Sequence, residues 1–165
     1  MSIGIVAFAF GAPETLRSNR RIAQAASLKS RELNAPIYTQ RDVSFESGFD
    51  VCFTEEEVGD PPPTLRIARG AVQWAKKEQI TELWVSAAKP HLWRCLRDLK
   101  YAVREAQEQM EIHVCEDIEK YQEGGWYCSG SEQERTRSRK QWRQRERILE
   151  CEWIMPMFIY KLVAS

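Results

Sequence analysis

Apolar and polar positions divide the chain into short apolar runs and longer stretches of helical period. Ile3–Phe10, IGIVAFAF, is apolar at every position. That is the pattern of a strand covered on both faces in the middle of a parallel sheet. The next segment, GAPETLRSNRR, holds turn formers and two suitable N-caps, Ser18 and Asn19. Ile22, Ala25, Ala26 and Leu33 then recur at helical spacing, and Asn34 ends the predicted helix. Pro36–Thr39 reads as a second strand and Val51–Thr54 as a short third. Asp60 and three prolines launch a helix from about Pro62 to Gln79, with Leu65, Ala68, Val72 and Ala75 facing inward. Leu83–Val85 is a further apolar run, followed by a polar turn over Ser86–Lys89. Pro90 stands at the expected first helical position, where its missing N–H costs nothing. Leu92, Leu96, Leu99, Val103 and Ala106 mark the buried stripe of that helix, and Glu111–Cys115 reads as a last strand.

Strands alternating with helices through short connections predict an α/β fold. The expected architecture is a Rossmann-like three-layer sandwich with a mainly parallel sheet, Ile3–Phe10 and Leu83–Val85 being central neighbours. The character changes after Cys115. Tyr121–Gly130 reads as a loop. Ser131–Glu152 is charged and helix-forming, with Trp142, Leu149 and Trp153 as its apolar seam, and Pro156 should break or kink that helix near Glu152. Residues 1–165 are read as a single domain, with 131–165 a C-terminal helical segment packed on it.

Composition narrows the partners. The 165 residues carry 24 basic and 24 acidic side chains, so no global field recruits nucleic acid or a membrane. The five cysteines contain no CxxC pair, which points to reduced thiols in a cytoplasmic protein. The first apolar run is too short to span a bilayer and lacks the basic flank of a signal peptide. No GxGxxG and no GxxxxGK[ST] is present, which disfavours ordinary dinucleotide and P-loop sites. Neither of the two histidines has metal-ligand company, so no zinc site is expected. No cofactor and no reaction is assigned.

Charge is not evenly placed. Arg17, Arg20, Arg21, Arg41, Arg66, Lys89 and Arg94 fall in, or just after, the predicted strand-to-helix turns. In a parallel sheet these turns share the carboxyl edge, where open α/β folds bind ligands. Three or four cations kept there would suit phosphate or carboxylate. His91 and Arg94 lie in the first turns of a helix, whose free N–H groups and dipole favour anions. Cys95, four residues after His91, invites comparison with a Cys–His nucleophile pair. It points along the Leu92–Ala106 stripe, however, and reads as a buried, inert thiol. Glu55, Glu56 and Glu57 read as a solvated turn, and His113 as a strand residue without an obvious partner. The Lys- and Arg-rich run Arg135–Arg147 is interleaved with Glu132, Glu134, Glu146 and Glu150, as in a salt-bridged solvated helix.

Four segments in order, GAPETLRSNRRIAQAASL, PPTLRIARGAVQWA, LWVSAAKPHLWRCL and QWRQRERIL, resemble the YdcF/SanA/ElyC-like family, a bacterial group without an assigned common reaction. The family's Ser-Gly-Gly-like turn is replaced here by Thr39-Gln40-Arg41-Asp42, and its acidic residue after Thr64 by Arg66. The positions that carry over are Arg21, Thr64, Ser86, His91 and Arg94. The resemblance implies a Rossmann-like sheet with a polar pocket at its carboxyl edge.

The expected ligand is a small anionic metabolite or a nucleotide. Its pocket is expected between the turn after Phe10 and the turn after Val85, with Ala12, Asn19, Arg21, Thr64, Ser86, Lys89, His91 and Arg94 as binding residues. One alternative is a nucleic-acid or polyanion module working through the basic C-terminal helix. Another is a degenerate, non-catalytic family member with its pocket filled. Neither a membrane partner nor an oligomeric state is indicated.

Overall fold

The structure, a computed structural model, describes residues 2–55 and 63–151. Five strands form one parallel sheet: β1 (Ile3–Ala7), β2 (Ile37–Thr39), β3 (Val51–Phe53), β4 (Glu82–Ser86) and β5 (Glu111–Val114). Their order is β3-β2-β1-β4-β5, with β1 in the middle. β1 and β4 pair in parallel over their full lengths, from Ile3 with Glu82 to Ala7 with Ser86. The fold is therefore the expected α/β Rossmann-like sandwich.

The pleat explains why β1 is apolar throughout. Ile5 and Ala7 point to one face and Val6 and Phe8 to the other, and all four are fully buried. On the first face lie α1 (Arg17–Leu33), Val43, Ile118 and Trp126. On the second lie α2 (Thr64–Lys77) and α3 (Lys89–Glu105), which also pack on each other. The crossover from β1 to β2 through α1 thus lies on one face, and those into and out of β4 through α2 and α3 lie on the other. The two carboxyl ends diverge there, which makes the β1–β4 boundary the topological switch point. No described helix is long and apolar enough to cross a membrane.

Local details depart from the sequence expectation in four places. Ser18 and Asn19 are not N-caps. α1 starts at Arg17 behind Leu16, and both side chains reach back to the loop after β1, where buried backbone groups need partners. α2 starts at Thr64, not Pro62, which lies outside the described residues, as do Glu56 and Glu57. His113 has partners: it stacks on Trp84 at 4.9 Å and lies 3.6 Å from Glu82 and 3.5 Å from Glu111.

The fourth departure shapes the site. The C-terminal helix, α4 (Arg139–Cys151), begins eight residues later than Ser131. The intervening polar residues bind each other and the loop after β1 instead of propagating a helix. Thr136 Oγ1 donates to Ser131 Oγ at 2.7 Å, and the Glu132 N–H donates to the Ala12 carbonyl at 2.8 Å. Gly11 permits that approach. Its φ is +91°, and a Cβ there would stand 2.7 Å from Ser131 Oγ and 2.8 Å from Thr136 Oγ1. Ser138 then opens α4, its Oγ accepting from the Gln141 N–H. Trp153, Pro156 and the side chain of Leu149 lie outside what the structure describes.

Candidate functional site

The carboxyl ends of β1 and β4 are joined by a hydrogen bond from the Phe8 N–H to the Ser86 carbonyl, 2.9 Å. Beyond them the chain runs into the first turns of α1 and α3, and the first turn of α2 comes up beside α3. None of these three first turns contains an acidic residue, and none has a side-chain N-cap bond. They carry Arg17, Arg66 and Lys89 instead. Cations at helix N-termini oppose the dipole. The edge is therefore electropositive from backbone and side chains together.

Three of the expected site residues are brought together there. Arg94 Nη2 lies 3.2 Å from His91 Nδ1, and His91 Nε2 lies 3.4 Å from Thr64 Oγ1. A guanidinium can only donate. Nδ1 is therefore the acceptor, the ring proton sits on Nε2, and Nε2 donates to the threonine hydroxyl. His91 is a neutral, oriented imidazole whose basic nitrogen is already engaged. It is arranged to donate a hydrogen bond rather than to take a proton at Nδ1. Both His91 and Arg94 are only 5% exposed.

Arg94 has a second and stronger partner. Its Nη1 meets Glu146 Oε1 at 3.1 Å, and both side chains are buried. The Arg94 guanidinium also lies over the Trp142 ring, 5.2 Å from its centroid, while Arg94 Nε has no hydrogen-bond partner among the described residues. Trp142 in turn meets Phe10 edge-on at 4.6 Å and His91 at 5.3 Å, and its Nε1 donates to the Pro90 carbonyl at 3.0 Å. α4 thus lies over the switch point, with Trp142 and Glu146 seated among Phe10, His91 and Arg94.

The other expected residues serve the walls. Asn19 is buried; its Oδ1 accepts from the Phe10 N–H at 2.8 Å, and its Nδ2 donates to the carbonyls of Gly11 and Pro13 at 2.9 and 3.2 Å. It fixes the loop after β1, where Ala12 receives the Glu132 N–H. Ser86 Oγ donates to the Ile22 carbonyl at 2.9 Å, tying the end of β4 to α1. Arg21 turns toward the opposite wall. It donates to the Gly125 carbonyl at 2.7 Å and lies 4.6 Å over the Tyr121 ring; a side chain at position 125 would collide with it. Lys89 pairs with Glu119 at 2.7 Å. Arg17, Arg20, Arg41 and Arg66 are exposed. Gln40, which stands where the resembled family has a small-residue turn, is buried, and its Oε1 accepts from the Ala9 N–H at 2.9 Å.

Cys95 is fully buried in the α2–α3 face of the core, and burial pushes its thiol well above the ordinary range. A thiol so placed is a poor nucleophile.

Three members of the site were not read from the sequence: Phe10, Trp142 and Glu146. The interleaved charges of the sequence place Glu146 on a solvated face, whereas its side chain is buried. Its position four residues after Trp142, on the same side of a helix, was the available signal that it goes inside with the tryptophan. Arg137, Arg139, Lys140 and Arg143 do face solvent. No family model and no curated protein matches the chain.

Proposed function

We propose that this chain is a divergent YdcF/SanA/ElyC-like cytoplasmic domain that binds a small anionic or nucleotide-like ligand at the β1–β4 switch point. The observation that carries the reading is Arg94. It is a guanidinium buried at an edge where three helix N-termini converge without a single acid in their first turns, and its Nε lacks a hydrogen-bond partner among the described residues. A positive charge with positive dipole ends around it favours an anion. The Thr64 hydroxyl, which accepts from His91 Nε2, keeps its own hydrogen as a neutral donor beside it. The resemblance of the four sequence segments supports the same placement. No reaction is assigned to the site.

A second reading rests on α4. The exposed Arg139, Lys140 and Arg143, with Gln144, line a surface hollow of about 460 Å³. Such a face would suit a polyanion, with strongly salt-dependent binding.

One comparison separates the two. A charge-assisted hydrogen bond contributes about 1.5–3 kcal/mol. Arg94→Ala should therefore weaken binding of nucleotides and phosphorylated metabolites by about one to two decades, at 1.4 kcal/mol per decade. Arg143→Ala should do much less. Calorimetric titration of both variants decides. Loss of binding in Arg143→Ala with Arg94→Ala intact would move the site to α4.

A further inference from the structure

Two side chains of α4 occupy the place the ligand needs. The Trp142 ring packs edge-on against Phe10 and His91, and the Glu146 carboxylate pairs with Arg94 at 3.1 Å. Four residues of helix set the ring and the acid about 6 Å apart along one face. Both are buried, whereas Arg139, Lys140, Arg143 and Gln144 of the same helix face solvent. Among the described residues only Asp98 and Glu146 are buried acids, and Glu146 is the one paired with Arg94.

We infer that α4 is a built-in competitor for this crevice. Trp142 stands in for a flat aromatic ring and Glu146 for an acidic group. The ligand is then an aromatic anion of nucleotide or aryl-phosphate type, and it binds by displacing the helix. This rests on the anion-binding reading of the switch point.

The contacts that hold α4 down suit reversible release. The Trp142 Nε1 bond to the Pro90 carbonyl, the Arg94–Glu146 pair and the Arg139–Glu123 pair at 3.0 Å are polar, and water can replace each partner once the helix lifts; the packing of the Trp142 ring on Phe10 is the apolar part, which the ring of the ligand would replace. A buried ion pair is close to break-even against desolvation. An incoming phosphate that takes Arg94 and returns Glu146 to water exchanges one pair for another.

The test titrates inorganic phosphate, adenosine and adenosine 5′-monophosphate into the parent, Glu146→Gln, Trp142→Ala and Arg94→Ala/Glu146→Gln proteins. Glu146→Gln should bind phosphate and the monophosphate at least about tenfold more tightly than the parent, and Arg94→Ala should abolish that gain. Trp142→Ala should gain for all three, since each needs the helix lifted, and more for adenosine and the monophosphate, whose ring takes the vacated place, than for phosphate. In the unaltered protein, saturating monophosphate should raise backbone hydrogen exchange across residues 139–151; this readout decides even where a variant fails to fold. Equal affinities in parent and variants, with unchanged exchange in α4, would overturn the competitor while leaving the crevice as a binding site. Absence of binding to the parent and to every folded variant would overturn both.

Discussion

Arg94 and Glu146 face each other at 3.1 Å with 6% of each side chain exposed. They join the first turns of α3 to a helix whose other described side chains mostly face water. Removing one partner of such a pair strands the other, whereas removing both does not. Arg94→Met, Glu146→Leu and the double variant should therefore be strongly non-additive in urea unfolding. The expected coupling is about 0.5–3 kcal/mol, the range for residues in direct contact. Additive losses would show that α4 is held by Trp142 alone.

Asn19 gives a sharper stability prediction. Its side chain accepts the Phe10 N–H and donates to two carbonyls of the loop after β1, inside a buried region. Asn19→Leu keeps the branched shape and deletes all three bonds. A stranded buried donor costs about 1–3 kcal/mol, and the loop it anchors also receives residues 131–136. Chemical denaturation should report a loss in or above that range. A variant as stable as the parent would mean that the loop finds other partners.

Cys95, Cys115, Cys52 and Cys128 are free thiols in graded surroundings. Burial, helped by the charges of Glu116, Asp117 and Glu32 against the pull of Lys29, pushes Cys115 up to about 12, and burial raises Cys95 well above the ordinary range. A thiol reagent applied to the native protein should modify Cys128 and Cys52 first, since both are partly exposed, with Cys95 and Cys115 reacting only on unfolding. Peptide mapping of the labelled protein reads the order. Fast labelling of Cys95, prevented by an anionic ligand, would return it to the site.

The sheet was legible because burial on both faces leaves an unmistakable trace. β1 shows no polar position from Ile3 to Phe10, and Leu83, Val85 and Ser86 pass from core to turn within a few residues. The helices α1 to α3 were legible from period alone. The site was harder, because its decisive contacts are long-range. Asn19 and Ser18 look like caps in isolation; only the folded loop after β1 shows that their oxygens and amide are needed elsewhere. Thr64, His91 and Arg94 meet because the topology sets the first turns of α2 and α3 side by side, but the Trp142–Glu146 pair that closes on them comes from a segment dominated by charge. The alternation of Arg and Glu in α4 masks Glu146, an acid that goes inside. Residues 131–138 read as helix because propensity is local, whereas Ser131 and Thr136 spend their hydroxyls on each other.

Among the described residues Lys29, on α1, is the other buried cation, and it sets a pH dependence. Its amine lies 2.9 Å from Glu32 and 2.8 Å from Glu116, and 4.4 Å over the Trp84 ring. Burial works to lower its pKa, but the hydrogen bonds and charges of the two carboxylates outweigh it and bring the amine to about 12. Lys29 therefore stays charged in the folded state, and its contribution is lost only as pH rises through about 12. Glu116 moves the other way: the Lys29 hydrogen bond holds its carboxyl below the ordinary value of 4.5. A carboxyl depressed in the folded state binds fewer protons there than in the unfolded chain, so its contribution is present above that value and fades as pH falls below it. The stability of the parent should therefore decline as the medium is acidified past the ordinary carboxylate range. Glu116→Gln should flatten part of that decline by lowering the stability near pH 7 toward its acid value, and only modestly, because the pair is solvent-facing on the glutamate side. Thermal melts of both proteins across an acid series test this; identical acid profiles would show that Glu116 contributes nothing to holding α1 against the end of β5.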